Sequence, residues 1–290
     1  MENNRGLHTV RELGRLLLAT TAVIALSAVG FDAIAGVANT KHNLVSTDAA
    51  NNRFAPTSGT AEICVFCHTP HAAATGASVP PLWNKALPAS GSYTLYDTNV
   101  SSTIDGESIA VGSVSIACLS CHDGSQAMNN MINAPGSGNY NAAGATFAGT
   151  WTAGTGTSSP VDPATGQLAA RTATAGVGNL GVDLRDDHPV GIQYCGGGPT
   201  VLAPTTACGD TDFVAPQNTT ISGNVVFWVD TGGSGRQKTD MILYNRSFAV
   251  AGNSPAVECA SCHDPHSETN PTFLRISNAA SAVCLACHVK

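Results

Sequence analysis

Strong patterning of apolar and polar positions is confined to two places in this 290-residue chain. Near the start, Leu16 to Val29 form an apolar run broken only by small or weakly polar residues. Arg5, Arg11 and Arg15 precede it, and Ala33-Ile34-Ala35 follow it. Basic residues, a short apolar stretch and small residues at a cleavage position make an export signal, so residues 1–35 read as a signal peptide. The run is about 14 residues, short of the roughly 20 that a spanning helix needs, and an uncleaved anchor is the weaker alternative. Farther on, Val225-Val226-Phe227-Trp228-Val229 and Met241-Ile242-Leu243-Tyr244 flank a Gly-rich turn and predict a β-hairpin. Elsewhere periodicity fades. Segments 36–63 and 72–92 are rich in Ala, Ser, Thr, Asn and Pro. Residues 125–180 are Gly/Ala/Thr/Ser-rich with almost no charge, and read as surface loops.

Composition sharpens this picture. Apolar residues make up 43% of the chain, but 42 of them are alanines, which bury little area each. Aromatics are 6% and charged residues 11%, the latter well under the roughly 25% of an average chain. A chain this poor in large core formers cannot fill a domain of its length with side chains alone. Something else must supply apolar surface. The net charge of −7, unchanged by removal of residues 1–35, excludes a basic nucleic-acid-binding stripe. No Gly-rich phosphate loop, Ser/His/Asp set or paired-acid motif stands out.

The ten cysteines decide what the filler is. Eight form Cys-x-x-Cys pairs, and His follows each pair directly: Cys64/Cys67-His68, Cys118/Cys121-His122, Cys259/Cys262-His263 and Cys284/Cys287-His288. This is the signature of covalent c-type haem attachment, in which two thiols add across the vinyl groups and the adjacent imidazole meets the iron. Zinc ribbons also use paired Cys-x-x-Cys, but they do not require the following His. Four haems per chain are therefore expected, in a compartment where export places the protein.

Histidine supply then sets the ligation. Outside residues 1–35 the chain has eight histidines, of which His68, His122, His263 and His288 are proximal. Four remain for four distal positions: His42, His71, His188 and His266. Met128 and Met131 follow the second motif and are the alternative axial ligand there, although thioether ligation marks higher-potential carriers. In His68-Thr69-Pro70-His71 and His263-Asp264-Pro265-His266 the proline disfavours helix in the residue before it, so the second His points away from its own haem. His188 precedes Pro189 and is held extended in the same way. Asp187 or Asp186 is a candidate acceptor for its other ring nitrogen. Trp83, Trp151 and Trp228 read as packing residues. Cys195 and Cys208 precede no His, and in an exported chain two leftover thiols read as a disulfide.

Several words of the sequence carry a resemblance. Thr40-Lys41-His42-Asn43-Leu44, the first motif with Thr69-Pro70-His71, Leu82-Trp83-Asn84, the second motif with Asp123-Gly124, and Asp187-His188-Pro189 occur in order. The third motif with Asp264-Pro265-His266 and Phe273-Leu274-Arg275-Ile276-Ser277-Asn278 follow. Together, across residues 40–290 and most weakly over 135–180, they resemble the tetrahaem extracellular cytochromes of the OmcE type. The resemblance implies a mostly irregular, loop-rich multihaem cytochrome c: short helices at the haem motifs, a minor β-hairpin, and a single domain over 36–290 whose core is stacked haems. It also implies polymerisation of identical subunits into conductive filaments outside the cell, with one ligand donated by an adjacent subunit. His42, in an arm without apolar periodicity, either folds back on its own chain or reaches that neighbour, and the resemblance favours the neighbour. Two other functions compete. A soluble periplasmic carrier fits the composition equally well. An oxyanion reductase needs an open iron position, which the histidine arithmetic does not leave.

Overall fold

The computed structural model describes residues 36–57, 62–75, 80–97, 100–136, 139–172 and 175–289. The expected signal peptide lies outside the described residues. Among the described residues no helix is long and apolar enough to cross a membrane.

The expected hairpin is present as the middle of something larger. β7 (Asn224–Val229) and β8 (Met241–Phe248) pair antiparallel with Phe227 opposite Leu243 and Val229 opposite Met241. Three strands that periodicity did not reveal extend them into a five-stranded sheet, ordered β5-β9-β8-β7-β6. These are β5 (Ile192–Gln193), β6 (Gln217–Ile221) and β9 (Gly252–Val257). β6 and β7 are joined by Ser222-Gly223, with φ of 49° and 80°, the positive pair a two-residue hairpin turn demands. β9 carries Pro255, which cannot donate to a ladder. It is tolerated because β5 pairs only with Ala256 and Val257, one residue farther along.

The stretch 125–180 corrects the expectation of surface loops. It holds β2 (Asn130–Asn133), β3 (Tyr140–Thr146) and β4 (Gly149–Thr152), and β4 pairs with β1 (Arg53–Pro56), setting Trp151 opposite Phe54. Met128, Met131, Phe147, Trp151, Val161 and Leu168 from this stretch bury themselves with Leu44, Phe54, Val65 and Phe66. Widely spaced large residues among Gly, Ala and Thr show no period, yet each one reaches the same cluster. β3 itself is mostly exposed.

A second cluster lies under the five-stranded sheet, where Tyr194, Phe227, Val229, Met241 and Leu243 meet. Cys195 and Cys208 are bonded beside it, with Cα atoms 5.4 Å apart, inside the usual disulfide range. They clamp a glycine-rich loop in which Cys195, Gly196, Gly197 and Gly198 all have positive φ. Replacing both cysteines with Ser is expected to lower stability by about 3 kcal/mol, the chain-entropy value for so short a loop. The guanidinium midpoint measures the loss, and the haem count of the variant should be unchanged. An unmoved midpoint contradicts the clamp.

Candidate functional site: four cysteine–histidine turns in file

Each motif is one tight turn. The first lies on the 3-10 turn Ile63–Phe66, the second ends α1 (Ser113–His122), the third is α2 (Cys259–Cys262) and the fourth closes α3 (Ala282–Cys287). In the first, third and fourth, the His N–H donates to the carbonyl of the first Cys, at 2.8, 3.1 and 2.9 Å. That bond winds both thiols and the imidazole into a single turn. His263 and His288 then leave in extended geometry, with ψ of 138° and 134°. Pro265 disfavours helix at Asp264, the residue after His263, while the fourth motif has no proline.

The thiols place the turns in sequence order. Burial pushes Cys67 up to about 12, with Cys121 and Cys64 adding to the effect and Lys85 opposing it. A hydrogen bond with Cys259 and burial raise Cys118. Burial likewise raises Cys262, with Cys284 among its neighbours, and lifts Cys287 to about 12 beside Cys262. The first motif therefore neighbours the second, the second the third, and the third the fourth.

The histidines test whether this site fits haem. Two imidazoles on opposite faces of one metal ion stand with ring centroids about 6 Å apart, given metal–nitrogen bonds of ~2 Å. His68 and His266 lie 6.3 Å apart with rings 17° from parallel, and His42 and His122 lie 6.1 Å apart. A ligating His also needs its second ring nitrogen held by an oxygen. Here Nδ1 of His42, His68, His122, His188 and His263 faces the carbonyls of Pro265, Pro81, Gly178, Pro189 and Thr272, within 3.2 Å. Nδ1 of His266 faces Asp264 at 3.5 Å. In all six residues Nε2 is the nitrogen left for iron. Desolvation, with His122 beside it, lowers His42 to about 4, so this imidazole is neutral, as a ligand must be. The residues fit the group.

One sequence expectation changes, at His188. Within the single chain, the His42 ring stacks on Phe273 at 4.3 Å and Lys41 pairs with Glu268 at 3.2 Å. Its arm also passes so close to His266 that only Gly36 fits there. The arm lacks apolar periodicity because polar anchors hold it. His188 takes its carbonyl from Pro189, whereas Asp186 and Asp187 face Arg171 at 3.1 and 3.7 Å. The extended geometry before Pro189 puts the carbonyl nearer than the acids. Desolvation and the adjacent His288 and His263 lower the His188 pKa. His71 is exposed, its carbonyl held by Thr69 and Asn133, and among the described residues no other histidine ring stacks on it. Met128 and Met131 are buried in the first core cluster and Met241 in the second. Trp83 packs edge-on against His68 at 5.7 Å.

Sequence reasoning missed the side chains that hold the turns. Asn84 is fully buried: its amide donates to Val65 at 2.7 Å and Asn133 at 3.0 Å, and its own N–H donates to Cys67. Ser115 in α1 donates to Glu258 and accepts from the Cys259 N–H at 2.9 Å, tying second motif to third. Burial raises the Glu258 pKa against the pull of Ser115 and Arg246, which pairs with it. Arg275 donates twice to the Ala260 carbonyl inside the third motif. Asn84 and Arg275 belong to words that carried the resemblance, which was the only signal for them.

A family described as a doubled CXXCH motif matches residues 253–290, the third and fourth motifs. No curated protein matches the chain. The match supports covalent haem c and electron transfer as the chemistry of this chain.

Proposed function

We propose that the chain carries four bis-histidine c-type haems in file and polymerises head to tail into an electron-conducting filament outside the cell. When bound, haem supplies a one-electron iron couple at each position. The protein's part is to hold the positions. Cys64, Cys67, Cys118, Cys121, Cys259, Cys262, Cys284 and Cys287 attach the four groups. His68 pairs with His266 and His122 with His42, while His188 lies beside both His288 and His263 and serves one of them.

The observation that carries the reading is one histidine left over at one end of the file. His71 is exposed beside the first motif, and His188 can serve only one of His288 and His263, which leaves one proximal histidine of the chain without a distal partner. His71 therefore serves, in the next copy, whichever of His263 and His288 His188 leaves open, a heterologous contact that repeats without closing. The resemblance assigned this role to His42; the ring of His42 beside His122 of its own chain favours His71 for it.

Electron microscopy of the native protein, with a pyridine haemochrome count, tests the whole reading. Filaments with four haems per chain, all low-spin, are the expected result. A monomer with four six-coordinate haems favours the soluble carrier, and a monomer with a substantial high-spin fraction reopens the reductase.

A further inference from the structure

Lys85 is among the largest side chains with no exposure at all. Its Nζ faces the carbonyls of Met128 at 2.8 Å, Asn130 at 2.9 Å and Ala127 at 3.5 Å. Three carbonyls around one nitrogen use all three donors of an ammonium. No carboxylate pairs with it among the described residues. Buried lysines are almost always paired with an acid, because a bare charge in the interior costs several kcal/mol. A fold that keeps one with carbonyl dipoles alone has a positive charge screened neither by water nor by a counter-ion.

Its position gives that charge a target. Trp83 bridges to His68 and Asn84 bonds to Cys67, so Lys85 follows directly on the two residues that hold the first motif. The Cys67 thiol already registers the ammonium. The third motif offers the contrast: there the buried charge is Glu258, and Arg246 pairs with it.

We propose that Lys85 is a fixed positive charge that raises the reduction potential of the haem at the first motif above its neighbours. Adding an electron makes the haem one unit less positive, so a nearby cation favours the reduced form, and burial strengthens the coupling. The first-motif position becomes the place where an added electron rests. The inference rests on haem attachment at Cys64 and Cys67 and is independent of polymerisation.

Potentiometric titration of Lys85→Met and Lys85→Gln tests it. Met keeps the length of the stem, while Gln keeps two donors for the carbonyls. In both variants one of four components should move to lower potential and the others stay in place. Cys64→Ala marks that component, since a haem with one thioether keeps a vinyl group and absorbs to the red. The marked band should titrate lower in the Lys85→Gln background than without it. An unmoved marked band in folded, four-haem protein overturns the proposal, as does a shift with Met alone, which reports lost donors to the carbonyls rather than lost charge. Intact mass is read first. A chain lacking the first haem fails at attachment, which is a separate failure from an unshifted potential.

Discussion

His71→Ala is expected to yield a haem-loaded protein that forms no filaments. The attachment turns are built from local bonds, His68 to the Cys64 carbonyl and Asn84 to Cys67, none of which uses the His71 ring. Attachment therefore survives. On the proposed filament the joint between copies does not, because each contact would lose its iron bond. One haem per chain should turn high-spin, and added imidazole should restore the low-spin spectrum without restoring filaments. His42→Ala is the control with the opposite signature. Its ring faces His122 of the same chain, so the spin change should be independent of protein concentration and filaments should still form. Normal filaments in His71→Ala, or their loss in His42→Ala alone, would return the bridging role to His42.

Asn84→Ala should cost at least about 3 kcal/mol and reduce loading of the first haem. Asn84 closes a buried ring of bonds: it donates to Val65 and Asn133, and its Oδ1 accepts from the Asn133 N–H at 2.9 Å. Truncation leaves three groups unsatisfied, and each such buried group costs roughly 1–3 kcal/mol unless water enters. The Val65 carbonyl lies within the first attachment turn, so the loosened turn should present Cys64 and Cys67 poorly. Denaturant midpoints and the haem count of the purified variant measure both effects. A variant with four haems and an unchanged midpoint would remove Asn84 from the site.

Legibility followed the range of the interactions. Attachment was written in the sequence because the two thiols and the imidazole sit within five residues, on one turn closed by one hydrogen bond. The hairpin β7–β8 was legible because two short runs of large apolar residues flank a Gly-rich turn. The neighbouring β6, with Gln217-Asn218-Thr219-Thr220-Ile221, gave no such signal, since an exposed edge needs no apolar face. Residues 125–180 hid their core contribution for the opposite reason. Single large residues such as Met131 and Trp151 are spaced by small ones, and the cluster they share exists only after the chain has folded.

The same division runs through the histidines. Sequence alone determined that eight histidines lie outside residues 1–35, that proline would turn His71 and His266 away from their own motifs, and that Pro189 would hold His188 extended. Tertiary structure decided their partners. His42 meets His122 and His266 meets His68 across 80 and nearly 200 residues, distances at which no local pattern specifies a pair. It also decided the charges: nothing in the sequence marks Lys85, which the converging carbonyls of Ala127, Met128 and Asn130 hold as a buried side chain. Spacing encodes what one turn of backbone can bring together. Which turns then lie side by side is set by packing across the whole chain.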